Sequence, residues 1–277
     1  MPIALSLNSN TYHGFTLDDA IDGATRAGIH LIELSAVAGY TEHVMPDASD
    51  AEVASLLARL AERGIRPIAL GGHSNLTTEV GRQRFAQNVE LGRRLGVEYV
   101  VTGTGETHGD ESVIDDEQNL IDDLRSIGRA AAAAGVGVAL ETHGHNFATG
   151  RLLTSLLQKV GSESIGICYD TANTIFYGGV EPYDDLGEAL PSVFGLHLKD
   201  KAGAPDEWNF PAIGDGDTDF GRVLRILRSD PRDRAIPLSI EIEFTQTGPR
   251  DVDEVHAAVL ASVTTLRELG YENGAAL

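Results

Sequence analysis

The sequence has few cysteines, few basic residues and no long apolar run, and each shortage excludes a class of protein. Cys168 is the single cysteine among 277 residues, so no disulfide can form within the chain. A reducing compartment, the cytoplasm, is therefore expected. No apolar run approaches the ~20 residues that a membrane-spanning helix needs. The opening MPIALSLNSN lacks the basic region and the cleavage site of a signal peptide, so none is expected.

Acidic residues outnumber basic residues two to one. Lys and Arg together number 21 and Asp and Glu 42, which gives a formal net charge of −21. Such a surface repels nucleic acids and anionic membranes, so neither is expected as a partner. The charge also disfavours a large polyphosphate substrate. A small, uncharged molecule is the expected ligand.

Short apolar runs alternate eight times with longer amphipathic stretches. The predicted strands are Ile3–Leu7, Ile29–Leu34, Arg66–Leu70, Tyr99–Thr102, Val136–Leu140, Ile165–Tyr169, Val193–Leu198 and Leu238–Ile242. The predicted helices are Leu17–Ala27, Asp50–Arg63, Thr77–Leu95, Asp115–Ala134, Thr149–Val160, Tyr183–Leu190, Asp219–Arg228 and Asp251–Leu269. No linker rich in Pro or Ser interrupts this alternation, so residues 1–277 are interpreted as one domain.

Local signals support these boundaries. Thr16 with Asp19, and Ser49 with Glu52, have the spacing of capping boxes at helix starts. Five predicted helices end on a glycine that can turn the chain into the next strand, namely Gly28, Gly64, Gly96, Gly135 and Gly270. Eight βα units predict a closed (β/α)8 TIM barrel of the α/β class. A doubly wound sheet is disfavoured because no G-x-G-x-x-G follows the first strand.

Polar side chains collect where the predicted strands end. The clearest case is VGVALETHGHN at 136–146, where a buried strand leads into Glu, His, His and Asn. In a TIM barrel these ends face the active site. The candidates are Asn8–Asn10, Glu33, His73–Asn75, Thr102–His108, Glu141, His143, Asp170, Asn173, His197, Lys199, Asp200, Glu241 and Glu243. A set of two Glu, one Asp and one His suits Mn²⁺, Mg²⁺ or Co²⁺, whereas Zn²⁺ usually recruits more His or Cys.

The same segments resemble those of the sugar phosphate isomerase/epimerase superfamily, the xylose isomerase-like TIM barrels. The resemblance extends over essentially the whole chain in order and spacing. The matching pieces are ALETHG (139–144), ICYDTAN (167–173), GLHLKDK (195–201), IGDGDTDF (213–220) and LSIEIE (238–243).

The resemblance implies a divalent-metal site formed by Glu141, Asp170, His197 and Glu241, with Mn²⁺ favoured and Mg²⁺, Co²⁺ or Zn²⁺ as alternatives. It also implies that Glu141 and Glu241 act as a paired base and acid. Glu243 is the nearest competitor of Glu241, because alternation along a strand puts both on one face. His143 is expected to orient or polarise the substrate. Four further side chains are expected to contact it: Glu33, His73, His108 and Lys199.

The chain also departs from the ketose 3-epimerases. Those enzymes carry a His shortly after the sixth-strand Asp, where this chain has TANTIFYGG, and an Arg after the seventh-strand His, where it has Lys199 and Lys201. No Gly-rich loop followed by Lys and no Arg cluster forms a phosphate cradle. An unphosphorylated sugar, keto-sugar or cyclitol is therefore favoured.

Three functions remain open at this point. The first is an isomerase or epimerase that moves a proton through a metal-stabilised enediolate. The second is a lyase, of dehydratase or C-glycoside-cleaving type, that uses the same base to expel a β-substituent from a keto-sugar or cyclitol. The third is a non-catalytic barrel serving as an accessory subunit. A homodimer or homotetramer is expected, and a hetero-oligomer is the alternative.

Overall fold

Eight parallel strands form a closed barrel in the computed structural model, which describes residues 3–105, 114, 116–232 and 235–271. The strands are β1 Ile3–Asn8, β2 Leu31–Val37, β3 Arg66–Gly71, β4 Tyr99–Thr102, β5 Gly137–Glu141, β6 Ile165–Asp170, β7 Val193–Leu198 and β8 Ile236–Ile240. Each strand pairs with the next, and β1 pairs with both β2 and β8, which closes the ring. The predicted TIM barrel is confirmed.

Eight helices of eight or more residues follow these strands in the described chain. They are α1 Leu17–Ala27, α2 Asp50–Glu62, α3 Glu79–Leu95, α4 Glu117–Ala134, α5 Gly150–Val160, α6 Pro182–Ala189, α7 Phe220–Arg228 and α8 Val252–Glu268. Both predicted capping boxes form, at Thr16 and at Ser49. Helix α3 begins two residues later than predicted because Thr78 is its N-cap and accepts a hydrogen bond from the Gly81 amide. No helix in the described residues is long and apolar enough to cross a membrane.

Two strand boundaries differ from the prediction for identifiable reasons. Strand β2 begins at Leu31 rather than Ile29, because the Ile29 amide donates to the Ala24 carbonyl and so completes the end of α1. Strand β8 ends at Ile240 rather than Ile242, because the Ile242 amide donates to the Thr11 hydroxyl instead of a neighbouring strand. Both ends of this strand therefore lie two residues earlier in the chain than predicted.

The interior of the barrel is apolar at one end and polar at the other. A small buried cluster that includes Ile68, Tyr99, Val101 and Cys168 lies inside the ring. Tyr99 fits there because Gly195 lacks a side chain: a Cβ at that position would lie 2.0 Å from the tyrosine hydroxyl. Since Tyr99 opens its strand, this packing fills the amino-terminal half of the barrel. The polar side chains are left at the carboxyl-terminal end.

Two short strands join the loops that follow β7 and β8. Asn209–Phe210 pairs antiparallel with Phe244–Thr245. Phe244 has a φ of 59°, the only positive φ of a non-glycine residue among those described. A bulky side chain in this region of backbone space is strained by about 1–3 kcal/mol, so the surrounding contacts must hold it there.

Candidate metal centre

Four side chains that could hold a metal meet at the carboxyl end of the barrel. Glu141 ends β5, Asp170 ends β6, His197 is the penultimate residue of β7, and Glu241 follows β8 directly. One nitrogen or oxygen atom from each lies within 4.8 Å of the others. At most 4% of any of these residues is exposed. Three carboxylates and one imidazole buried together can bind a divalent cation.

Asp170 gives the strongest sign that this group fits a cation. Its Oδ1 accepts hydrogen bonds of 2.8 Å from the amides of Ala172 and Asn173. Its Oδ2 is buried and has no hydrogen-bond partner. Burial, together with the neighbouring carboxylates, raises the pKa of Asp170 to about 8. A buried acceptor without a donor is costly, and a metal ion would satisfy this oxygen.

Glu141 is held by three donors. Its Oε1 lies 3.1 Å from His197 Nδ1 and accepts a 3.2 Å hydrogen bond from Asn173 Nδ2. Its Oε2 lies 2.8 Å from His73 Nε2. Burial alone would raise the pKa of Glu141, but the charges and hydrogen bonds of His197 and His73 outweigh it and lower that pKa well below its usual range. Glu141 is therefore ionised, as a metal ligand or a general base must be.

Glu241 and Glu243 point to different partners. Glu241 Oε1 accepts hydrogen bonds from the side-chain amides of Asn8, at 2.9 Å, and Asn10, at 3.1 Å, and its Oε2 lies 3.3 Å from His197 Nδ1. Glu243 Oε2 instead lies 2.5 Å from Lys199 Nζ. The geometry therefore brings Glu241 into the four-residue group and leaves Glu243 beside it.

Lys199 supplies the positive charge of the site. It is 3% exposed, and its Nζ lies 3.6 Å from Glu241 and 3.7 Å from Asp170 in addition to its contact with Glu243. Burial would lower the pKa of Lys199, but Glu243 and the other carboxylates raise it well above its usual range. Its ammonium also lies 4.6 Å from the centre of the Phe210 ring. The lysine thus balances carboxylates that would otherwise repel one another.

Glu33 lies behind His197, on the side away from the other carboxylates. It is fully buried in β2, and its two oxygens lie 3.1 and 3.2 Å from His197 Nε2. Ser239 donates a 2.7 Å hydrogen bond to the same carboxylate. Glu33 thus contacts Nε2, while Nδ1 of the same ring faces Glu141 and Glu241 of the metal group. We therefore propose that Glu33 positions His197.

Replacing Glu33 with Gln is expected to weaken metal binding by about 10- to 100-fold, the usual effect of losing a carboxylate behind a ligating histidine. The measurement is calorimetric titration of the metal-free protein with Mn²⁺. Glu42→Gln is the matched control, because Glu42 is exposed and lies nine residues further along. Equal affinity in Glu33→Gln and in the wild type would remove the positioning role.

Several of the other predicted residues line the cavity at this centre, namely Asn8, Asn10, His73, His143, Asn173 and Lys199. Asn75 instead accepts hydrogen bonds from Thr77 in its own loop, and the Ser74 amide donates to the Thr102 hydroxyl. His143 packs its ring 5.6 Å from that of His73 and 4.9 Å from that of Tyr177. Asp200 turns away and accepts hydrogen bonds from four backbone amides, those of Lys201, Gly214, Gly216 and Thr218, which fixes the loop that follows β7. His108 lies outside the described residues. Sequence reasoning missed Tyr177, which lies seven residues beyond Asp170 at the end of the short helix Asn173–Phe176 and had no motif to mark it.

The cavity beside the four ligands is narrow. It offers about 30 Å³, and roughly 10–15 Å³ of such space is enough to hold one water molecule. It is lined by Asn8, Asn10, Glu33, Ser35, Val37, Gly71, His73, Glu141, His143, Asn173, Tyr177, His197, Lys199, Trp208, Glu241 and Glu243. The space suits an ion and the reacting atoms of a substrate.

Comparison with known proteins agrees with the barrel fold described above. A family model described as xylose isomerase-like TIM barrel matches residues 21–262. The structure is similar to D-psicose 3-epimerase with D-tagatose from Clostridium cellulolyticum H10, at 14% identity over 96% of this chain and 99% of that chain, with a TM-score of 0.75. No match was found among curated protein sequences.

Two further structures are similar. The IOLI protein with a bound zinc atom is 19% identical over 99% of this chain and 100% of that chain, with a TM-score of 0.77. The probable 3-DHS dehydratase AsbF from Bacillus anthracis is 18% identical over 95% of this chain and 99% of that chain, with a TM-score of 0.69. At these identities the likeness is one of fold, which is shared by enzymes of more than one reaction type.

Proposed function

Because the chain belongs to the xylose isomerase-like TIM barrel family, we propose that it is a metal-dependent isomerase or epimerase of a small, unphosphorylated sugar or keto-sugar. The observation that carries the proposal is the buried group of Glu141, Asp170, His197 and Glu241. Three of these side chains offer oxygen and one offers nitrogen. That mixture favours Mn²⁺, with Mg²⁺, Co²⁺ and Zn²⁺ as alternatives.

A divalent cation in this group would polarise the oxygens of a hydroxyketone and acidify the C–H bond between them. Glu141, held ionised by His73 and His197, would accept that proton. For epimerisation, Glu241 would return a proton to the same carbon. Burial would raise the pKa of Glu241, but Lys199 and His197 lower it below its usual range, so Glu241 would first take up that proton from solvent. For isomerisation, Glu141 would return its own proton to the neighbouring carbon. The amides of Asn8 and Asn10 fix Glu241 in place, so its carboxylate needs no reorganisation during the step.

The charges around the cavity support an unphosphorylated substrate. Among the described residues that line it, Lys199 is the one lysine and there is no arginine. The ammonium of Lys199 is already paired with Glu243 at 2.5 Å. A phosphate ester would therefore meet uncompensated carboxylates rather than a cradle of donors.

A lyase is the second candidate, because imidazole groups stand next to the proposed base. The His73 and His143 rings lie edge to face at 5.6 Å, and His73 contacts Glu141 directly. Either imidazole could protonate a group leaving the β-carbon once Glu141 has taken the proton. The fold is also similar to that of a probable dehydratase, which is a reason to test for elimination.

The test is to incubate the Mn²⁺-loaded protein in deuterium oxide with a panel of ketoses, keto-sugars and inososes, and to analyse products by NMR and mass spectrometry. An isomerase gives a product isomeric with the substrate that carries solvent deuterium at carbon. A lyase gives a product lighter by water or by the expelled substituent. Glu207→Gln, an exposed loop variant, should match the wild type. Metal-loaded protein that catalyses neither exchange nor elimination would point to the accessory-subunit function instead.

A further inference from the structure

A second, larger cavity opens beside the metal centre. It offers about 370 Å³ and is lined by Asn10, Thr11, His13, Tyr40, Trp208, Ile242, Glu243, Phe244, Thr245, Gln246, Gly248 and Pro249. Asn10, Trp208 and Glu243 line both this cavity and the narrow one at the metal group. The two cavities are therefore adjacent, and we call the larger one the side cavity.

The relative volumes of the two cavities indicate where the larger part of a substrate would lie. The space at the metal group accommodates little beyond an ion and the atoms that react. An enclosed apolar cavity of about 150 Å³ is enough to hold one benzene molecule, and the side cavity is more than twice that size. Any part of a substrate that extends away from the reacting carbons on this side enters the side cavity.

The walls of the side cavity carry aromatic rings. His13 and Tyr40 stack face to face, with ring centres 4.1 Å apart and an angle of 15° between the planes. Trp208 adds a third ring, held edge-on by Phe176 and Phe210. Flat ring faces of this kind bind planar groups by stacking and by burial of apolar surface.

Phe244 supplies a fourth ring at an unusual backbone conformation. Its φ of 59° is strained for an aromatic residue, and its pairing with Phe210 holds it there. Glycine would take this conformation without strain. Phe244 thus contributes its ring to the wall of the side cavity, and it also packs against the hydrophobic core of the barrel.

We propose that the side cavity binds a planar aromatic group attached to the sugar, so that the substrate class is aryl-substituted sugars rather than free monosaccharides. The assignment of the sugar itself rests on the proposed function. The aromatic group is uncharged, because Glu243 lies at the junction and its carboxylate is already paired with Lys199. His13 is the only basic side chain among the described residues that line the side cavity, and an anionic group would find no lysine or arginine there.

Trp208 makes the test direct, because it is the single tryptophan of the chain and lines the side cavity. Its fluorescence is titrated with 2-naphthyl β-D-glucopyranoside, methyl β-D-glucopyranoside and cellobiose, and calorimetry gives the dissociation constants independently. The naphthyl compound is expected to bind at least tenfold more tightly than the other two. Equal affinity for the naphthyl and methyl compounds would overturn the proposal, and so would tighter binding of cellobiose.

Two variants locate the bound ring. Phe244→Gly removes one ring from the wall and relieves the backbone strain, and Tyr40→Ala removes another ring from the wall. Each is expected to weaken naphthyl binding by roughly 3- to 10-fold, the value of one aromatic contact, without changing methyl glucoside binding. Tyr183→Ala, on α6 outside both cavities, is the matched control and should bind like the wild type. Unchanged naphthyl affinity in both cavity variants would overturn the assignment.

These titrations are separable from the catalytic test. They are performed on the metal-free and the Mn²⁺-loaded protein without turnover. If naphthyl binding depends on Tyr40 and Phe244 but no substrate exchanges deuterium, the proposed reaction fails and the aromatic site stands. If free ketoses exchange deuterium and naphthyl compounds do not bind, the reaction stands and the aromatic site fails.

Discussion

The Asp170→Asn variant is expected to fold normally and to bind no divalent metal. Asparagine keeps the oxygen that accepts from the Ala172 and Asn173 amides, so the local turn survives. It removes the carboxylate character of the second oxygen, which has no hydrogen-bond partner. Elemental analysis after loading with Mn²⁺ should find one ion per chain in the wild type and none in the variant. Activity should fall by about 10³-fold, since a catalytic metal contributes several kcal/mol and tenfold corresponds to about 1.36 kcal/mol.

Thermal stability gives a second readout that does not depend on knowing the substrate. At a free metal concentration about 100 times the dissociation constant, binding adds about 2.7 kcal/mol to the stability of the folded state. The wild type should gain this unfolding free energy when Mn²⁺ is added, and Asp170→Asn should gain none. Glu207→Gln, an exposed loop variant, is the matched control and should gain the same stability in Mn²⁺ as the wild type. Equal metal content in Asp170→Asn and the wild type would contradict the four-residue centre.

The Lys199→Met variant is expected to lose about 3–5 kcal/mol of unfolding free energy in the metal-free state, the usual cost of leaving a buried charge without its partner. The side chains have similar length, so the change is mainly one of charge. Without the ammonium, Glu243, Glu241 and Asp170 face one another at the end of the barrel with His197 as the nearest cation. Urea unfolding followed by circular dichroism measures the difference.

Two further measurements test whether the loss of stability in Lys199→Met is caused by charge. A bound Mn²⁺ would supply positive charge next to the same carboxylates, so the difference between Lys199→Met and the wild type should shrink when metal is present. The double variant Lys199→Met with Glu243→Gln removes both members of the 2.5 Å pair and should recover part of the lost stability. A loss that is the same with and without metal, and that the second substitution does not reduce, would mean that packing and not charge is responsible.

Much of the barrel could be predicted because its signals are local. Capping boxes, terminal glycines and short apolar strands each depend on residues within a few positions of one another, and the strand ends then fall on one face by geometry alone. The same geometry indicated which strands carry Glu141, Asp170 and His197. The end of β8 was misplaced because it depends on the hydroxyl of Thr11, more than 200 residues away.

The role of Glu33 could not be predicted for the same reason. The sequence around a carboxylate in an apolar strand is the same whether that carboxylate contacts a substrate or another side chain. Its partners, His197 and Ser239, lie 164 and 206 positions away in the sequence. The side cavity is also a property of the folded chain, since its aromatic walls come from loops after β1, β2, β7 and β8. No motif spans such distances, and composition does not indicate which rings meet.

The pairing of Asn209–Phe210 with Phe244–Thr245 has a consequence for how the loops around the site can move. Backbone hydrogen bonds join the loops after β7 and β8, and the Lys199–Glu243 contact joins them again at the base. Neither loop can swing aside alone without breaking these bonds. The two loops are therefore expected to move together rather than independently.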